Sequence, residues 1–405
     1  MRLGLSRAKS PDKFDFTLMG IVIIMMFTSF AAIYSTSGIL GASVSRSYLI
    51  QQMVWYVLGF MIIGILMYLG NDSLLQFAKI GYWILLVMLA LLLVDRVFHT
   101  LTGNDLPFFH SANGATSWYQ IPGIGTFQPS EFMKIALIII VANIIDEHNK
   151  QKLTESYEKD FDLLIEIAKW SLPPVFMILL QPDTGVVIIM FIAIAAMVLC
   201  SGIKKEWIII LFSIVAVALA LFFYLFFFHF DFLSATIGGD GGYKLKRITS
   251  WLNPESDIGN TGHQLYLSLL VIGSAGLSGH GIGANLVSLP EAQTDLIFAV
   301  IGQTWGFIGT IGVVGLCLFL DLHICRIASL SKNMAEKYMM TGFLGLLLYQ
   351  QFQNIGMLIG LLPITGITLP LLSYGGSSML SYMVVLGIVM NTSRKAKKLS
   401  DFVYE

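Results

Sequence analysis

Apolar residues run along this chain in stretches of membrane-spanning length, about 20 helical positions for a hydrocarbon core of ~30 Å, and polar residues gather in the intervals. Residues 14–34, 48–69, 77–94, 186–203, 207–230, 296–320, 338–361 and 369–390 each predict a full span. Two shorter runs, 130–145 and 170–180, complete the pattern; the second carries Pro173 and Pro174 and stops at Gln181-Pro182-Asp183-Thr184-Gly185. The predicted fold class is an all-α integral membrane protein of about ten transmembrane helices. If 170–180 pairs with the next run as a re-entrant hairpin, the orientation of everything downstream is unchanged. The first run follows a basic leader and lacks a small-residue cleavage site, which predicts a retained helix rather than a removed signal.

Composition agrees: of 405 residues, 56% are hydrophobic and 12% charged, which overrides the expectation of several soluble domains. A net charge of -1 gives no bulk attraction to nucleic acid, so the position of the charges matters more than their sum. With the N-terminus inside, every Lys and Arg except Arg46, Arg96, Lys134, Lys244, Lys246 and Arg247 falls on the cytoplasmic side. The positive-inside rule therefore puts both termini in the cytoplasm of a multi-pass cell-membrane protein. We expect a single polytopic domain with extracellular loops over about 95–129 and 231–295, the larger between helices 7 and 8. The cytoplasmic loop over about 146–169 mixes charges of both signs and reads as a solvated connector. Cys200, Cys317 and Cys325 lie in or beside apolar runs without metal or redox spacing and read as packing residues.

Nothing in the chain matches a P-loop, a dinucleotide fingerprint, a Cys/His metal spacing or a Gly-x-Ser-x-Gly elbow. What remains is a polar set that the topology brings to one outer rim: Trp118, Gln128, Glu131, Lys134, Asp183, Lys246, Arg247, Glu291, Asp295, Ser373 and Tyr374. Cations beside carboxylates at a membrane surface suit a substrate with an anionic head and an apolar tail, such as a polyprenyl pyrophosphate. Most of these residues admit two readings. Asp295 either caps the helix that begins at Leu296 or is an acid employed at the membrane surface. Glu291 shares a face with it only if the turn after Pro290 is helical, and is otherwise a solvated loop acid. Lys134 lies three residues after Glu131, a spacing for an internal ion pair or for a phosphate-holding ammonium positioned by the glutamate. Asp183 fits a turn as well as a site, and Trp118 an interfacial anchor. Ser130, before Glu131, reads as a helix N-cap. His229, His263 and His280 show no ligand spacing. Residues 264–277 are weakly amphipathic and suited to the membrane face.

The motifs Gly114-Ala115-Thr116-Ser117-Trp118, Phe127-Gln128-Pro129-Ser130-Glu131 with Lys134, and Gln181-Pro182-Asp183-Thr184-Gly185 are followed in order by two more. These are Leu289-Pro290-Glu291-Ala292-Gln293-Thr294-Asp295 and the segment from Gly360-Leu361-Leu362-Pro363 through Leu372-Ser373-Tyr374-Gly375-Gly376-Ser377-Ser378. Over nearly the whole chain this succession resembles the SEDS family (shape, elongation, division and sporulation). Gln353-Asn354-Ile355-Gly356-Met357 and Thr365-Gly366-Ile367 resemble its elongation members, RodA, more than its division members, FtsW.

The resemblance implies a ten-helix peptidoglycan glycosyltransferase acting on lipid II, the undecaprenyl-pyrophosphoryl disaccharide-pentapeptide, at the outer membrane face. The family's essential loop acid falls on Asp295 and its loop tryptophan on Trp118; Gln128, Glu131, Asp183, Glu291, Ser373 and Ser377 fall in the implied substrate-binding set. Many members carry Arg before that tryptophan where this chain has Ser117, so pyrophosphate binding would pass to Lys134 with Lys246 or Arg247. Gram-positive members often lack that Arg, which implies such an origin. Conversion of an α-linked sugar pyrophosphate to a β-1,4 glycan implies one inverting displacement with Asp295 as general base. A divalent cation, magnesium or manganese, could assist, although the sequence offers it no dedicated cage. Implied partners are a class B penicillin-binding protein and other membrane proteins of the elongation complex. The alternatives are a lipid II flippase and a non-catalytic scaffold for a cell-wall synthase.

Overall fold

The computed structural model describes residues 14–104, 106–112, 115–122, 125–151, 156–236, 240–257 and 262–404. Arg2, Arg7, Lys9 and Lys13 of the basic leader, together with Gly114 and Lys152, lie outside the described residues. Helix α1 (Phe16–Ser35) is capped by Asp15, whose carboxylate accepts the Leu18 amide at 3.3 Å. The short α2 (Ser37–Leu40) leads to α3 (Ala42–Leu69) and α4 (Leu74–Thr102). Strands β1 (Phe109–Ala112), β2 (Ala115–Ile121) and β3 (Gly125–Phe127) form an antiparallel sheet in that order. Next come α5 (Pro129–Gln151), α6 (Tyr157–Leu180), α7 (Thr184–Leu199) and α8 (Lys205–Phe228). The short α9 (Phe230–Thr236), α10 (Asp240–Leu252) and α11 (His263–Ser274) precede α12 (Ile297–Leu330), α13 (Met334–Leu358) and α14 (Gly376–Tyr404).

This is a helical, multi-span membrane protein. Among the described residues, six segments are long and apolar enough to cross a bilayer: Phe16–Leu40, α3, α4, α6, α8 and α12. Helices α5, α13 and α14 are less apolar because they face protein. In α5, Ile138, Ile140, Val141 and Ala142 are at most 1% exposed. Where α13 crosses α5 and α7, a Cβ on Gly342 would lie 2.7 Å from Ile138 and 2.9 Å from Met197, so glycine is what lets the backbones approach. Helix α8 is the opposite case, with only Phe226 buried, and that ring joins Leu233 and Leu245 in a small cluster apart from the main core.

Three departures from the apolar pattern matter for the site. Helix α6 begins at Tyr157 and runs unbroken through Pro173 and Pro174, while α5 continues to Gln151, so most of 146–169 is helix rather than open connector. Its charges pair along helix faces, as Lys169 does with Glu166 at 3.1 Å, a spacing that supports rather than breaks a helix. Residues 369–375 are not helical, and α14 begins only at Gly376. There Pro370 interrupts the amide ladder, Leu371 takes a left-handed φ of 63°, and the Ser373 hydroxyl accepts the Leu369 amide at 2.8 Å. Finally, α12 breaks at Gly306 (φ 62°, ψ -152°). The loop after α11 fills the gap: the Phe307 and Ile308 amides donate to Gly276 and Leu277, and His280 and Gly281 donate to the carbonyls of Gln303 and Thr304.

Candidate functional site

Pro129 opens α5, where its fixed φ and missing N–H suit the first position. The helix therefore begins one residue before the predicted Ser130 cap, and the Ser130 hydroxyl has no hydrogen-bond partner among the described residues. Instead, the Gln128 amide donates to the Ser377 hydroxyl of α14 at 3.0 Å, and Ser377 donates to the Thr126 carbonyl at 3.2 Å. One turn into α5, the Lys134 ammonium reaches both Glu131 carboxylate oxygens at 3.0 Å, with Lys134 1% and Glu131 6% exposed. Ser381 of α14 donates to Glu131 at 3.4 Å, and the Tyr382 ring centroid lies 6.0 Å from the ammonium. Asp183 caps α7 by accepting the Val186 amide at 3.3 Å, and its other oxygen accepts Gln128 Nε2 at 2.8 Å. The residue is half-buried, but its carboxyl lies among protein atoms. That desolvation, with the charge of Glu131 adding to it, pushes the carboxyl up to about 6 against the pull of Val186, Lys134 and Gln128.

A second cluster forms at the entry to α12. Glu291 takes a left-handed φ of 51° and is exposed, whereas Asp295 is 8% exposed, so the two acids do not share a face. Thr294 bridges them, its hydroxyl 3.2 Å from Glu291 Oε2 and 3.2 Å from Asp295 Oδ1. Burial pushes the Asp295 carboxyl up to about 6; the Glu291 charge adds to this, while the Thr294 hydroxyl and Arg247 oppose it. Arg247, on α10, also donates to the Ile364 carbonyl at 3.2 Å.

Residues 360–375 form a strap between the clusters. A Cβ on Gly366 would come 3.8 Å from Asp295 Oδ2, while the neighbouring Ile367 packs 3.1 Å from the Cβ position of Gly185, at the start of α7. The Tyr374 amide donates to the Gln293 carbonyl at 2.8 Å. Gln128, Glu131, Lys134, Asp183 and Ser377 therefore meet on one side of the strap, and Glu291, Asp295 and Arg247 on the other. Ser373 closes the strap's own turn. Trp118 lies half-buried on β2 opposite His110, and its neighbour Ser117 donates to the Gln181 carbonyl at 3.4 Å, beside the Asp183 turn. Lys246 is exposed on α10, and among the described residues its ammonium joins neither cluster.

The candidate site set omitted Asn354, quoted above only within a subfamily motif, which sits fully buried in α13 against the Asp295 main chain, and Ser381; a polar residue inside an apolar span is the signal that could have found both. Among the described residues no three His, Cys, Asp or Glu side chains form a metal cage. A groove of about 630 Å³ between α1 and α12, lined by residues such as Phe27, Trp305 and Phe319, is apolar and separate from both clusters.

A buried acid of raised proton affinity beside a fixed cation can take up a proton from a hydroxyl while an anionic group is held nearby. A family model described as a cell cycle protein of the FtsW/RodA/SpoVE type matches residues 15–398. The chain belongs to the FtsW/RodA/SpoVE family. This FtsW/RodA/SpoVE protein is 30% identical over 396 residues to the probable peptidoglycan glycosyltransferase FtsW of Lactococcus lactis, covering 94% of this chain and 91% of that one. It is 32% identical over 296 residues to the peptidoglycan glycosyltransferase MrdB of Escherichia coli, covering 72% and 74%. Among solved structures it resembles RodA of Thermus thermophilus with a TM-score of 0.64 at 26% identity, over 94% and 97% of the two chains. A chain from "Structural coordination of polymerization and crosslinking by a peptidoglycan synthase complex" matches with a TM-score of 0.73 at 26% identity, over 95% and 98%.

Proposed function

We propose that this chain polymerises lipid II into β-1,4 glycan strands at the outer face of the cytoplasmic membrane during cell elongation, with Asp295 as general base. The glycosyltransferase class rests on family membership and on relatives that are named peptidoglycan glycosyltransferases. In the proposed step the acceptor's 4-hydroxyl oxygen bonds to the donor's anomeric carbon as the bond from that carbon to pyrophosphate oxygen breaks. The electron pair leaves with undecaprenyl pyrophosphate, the anomeric centre inverts, and the hydroxyl proton passes to Asp295. Pyrophosphate leaves without a proton, so one base suffices, unlike the acid and base pair of an inverting hydrolase.

The observation that carries this reading is the state of Asp295: 8% exposed at the mouth of α12, its carboxyl pushed up to about 6, close to the pH at which a base works well. Arg247, whose charge acts on that carboxyl, and Lys134 across the strap are the cations proposed to hold the pyrophosphate, with Lys246 a more distant third. A bound divalent cation would supply further charge to the leaving group, held mostly by the substrate's own phosphates.

The elongation role rests on 353–357 and 365–367, since relatives of both kinds match at similar identity. A class B penicillin-binding protein is the proposed partner, in keeping with the synthase complex among the matched structures. The deciding experiment uses purified Asp295→Ala with labelled lipid II. We expect a monodisperse, membrane-inserted protein that makes no polymer, whereas undiminished glycan would end the assignment. Restoration of rod shape, but not of division, in cells depleted of their own enzymes would support the elongation role.

A further inference from the structure

We infer that Asn354 is a positioning residue for Asp295, its side-chain amide stapling the acid's main chain to the 360–375 strap and so fixing where the carboxylate points. The catalytic consequence rests on the general-base reading above; the staple itself does not.

Asn354 lies in α13 and is 0% exposed. Both hydrogens of its Nδ2 are spent on carbonyls from separate parts of the chain, Asp295 O at 2.8 Å and Ile367 O at 2.7 Å. Its Oδ1 has no hydrogen-bond partner among the described residues, so the amide is committed to this double donation. Neither carbonyl belongs to a helix or a strand, and neither is held in place by a backbone ladder. The Asp295 turn has a second main-chain anchor in the Tyr374 amide, which donates to Gln293 O at 2.8 Å. The Thr294 and Leu296 amides close the turn on itself through Glu291 O, and the Asn354 bond ties that turn to α13. Because Asn354 also holds Ile367, it sets the distance between the carboxylate and Gly366, whose Cβ position is 3.8 Å from Asp295 Oδ2. Loss of the amide therefore removes one tie from each side of the carboxylate at once, leaving the strap to Arg247 and Gln353 and the turn to Tyr374.

Asn354→Leu keeps the branched outline of the side chain at a somewhat larger volume and removes both donors. In full-length protein reconstituted with lipid II, we expect kcat to fall on the order of 100-fold, the penalty for a displacement of about 1 Å, with KM little changed; Asn354→Gln, which keeps an amide, should fall less. Position is read separately from activity by placing a thiol at the acid's site: in Asp295→Cys, alkylation by a membrane-impermeant maleimide should be slow, and adding Asn354→Leu should speed it severalfold. Wild-type kcat together with an unchanged alkylation rate would overturn the staple. If Asp295→Asn polymerises normally, the base reading fails, and the alkylation arm still decides whether Asn354 positions the turn. If Asn354→Leu does not yield monodisperse protein, the same two measurements on Asn354→Ala, which also removes both donors, decide, and no change in either counts against the proposal.

Discussion

Replacing Asp295 by Asn should abolish polymerisation and, above neutral pH, make the protein more stable. The carboxyl titrates at 3.8 when unperturbed and is pushed up to about 6 in the fold, chiefly by burial. At ~1.4 kcal/mol per pKa unit, the ionised acid costs the folded state roughly 3 kcal/mol. With the residue 8% exposed, solvent screening removes little of that figure. The sign follows from linkage. A carboxyl whose folded pKa is raised contributes stability that is fully present below its unfolded pKa and lost as pH rises through the folded one. Wild type should therefore lose stability relative to the neutral, isosteric Asn variant between about pH 4 and pH 6 and keep that deficit above it. Thr294 can satisfy the new amide, because its hydroxyl already lies 3.2 Å from Asp295 Oδ1. The assay is thermal unfolding in detergent at about pH 4.5 and pH 8, run beside polymerisation of labelled lipid II. Equal unfolding temperatures at both pH values would mean that the carboxylate is solvated, and the argument for a buried base would collapse.

Lys134→Met should destabilise the fold by about 3–5 kcal/mol, because it leaves Glu131, 6% exposed, with only the 3.4 Å contact from Ser381 among the described residues. Adding Glu131→Gln should recover most of the loss in thermal unfolding, and a single variant as stable as wild type would contradict a buried pair. Glu291→Gln removes a charge that raises Asp295, and Arg247→Gln one that lowers it. The acidic limb of the rate profile should move to lower pH in the first and to higher pH in the second; a shift in the same direction for both refutes the electrostatics. Gly366→Ala places a side chain at φ 74°, with its Cβ 3.8 Å from Asp295 Oδ2. We expect ~1–2 kcal/mol of strain and a disproportionate fall in turnover, and equal losses in stability and activity would show that the strap does not shape the pocket.

The spans were legible because apolar length is a local property, and the helices that face lipid carry it most strongly. The same logic explains the misreadings. Residues 157–169 are charged and look like connector, yet a helix accepts charge on any face that water reaches, and Lys169 and Glu166 illustrate it. Residues 369–375 are apolar enough to extend a span, but Pro370 and the hydroxyl of Ser373 give that backbone a tighter alternative. In the site, Glu131 with Lys134 was readable from a three-residue spacing, whereas the meeting of Gln128 with Asp183 depends on how α5 and α7 are brought together by α13. Asn354 was visible only as part of a motif, since its two acceptors lie 59 and 13 residues away along the chain. No local pattern encodes such a contact.

The placement of polar groups bears on the choice between an enzyme and a transporter, since a carrier of charged headgroups should line its path through the span with polar sites. Here the Glu131–Lys134 pair lies in the first two turns of α5, and Asp183 and Asp295 precede α7 and α12 at the same end of the bundle. Beyond Lys134, α5 presents Ile138, Ile140, Val141 and Ala142 to its neighbours, packed against α13 at a contact so close that Gly342 has no room for a methyl group. Asp321, deeper in α12, is buried but occupied by Gln351 at 3.2 Å. The far end is tied shut: Asp15 meets His323 at 3.1 Å and accepts the Ser393 hydroxyl, and Glu336 accepts Asn71 and Lys395 at 3.3 Å each. A headgroup crossing this centre would have to separate α5 from α13 and break those ties, leaving several buried charges without partners. Acids and cations gathered at one end of the bundle suit chemistry performed on a substrate whose tail stays in the membrane.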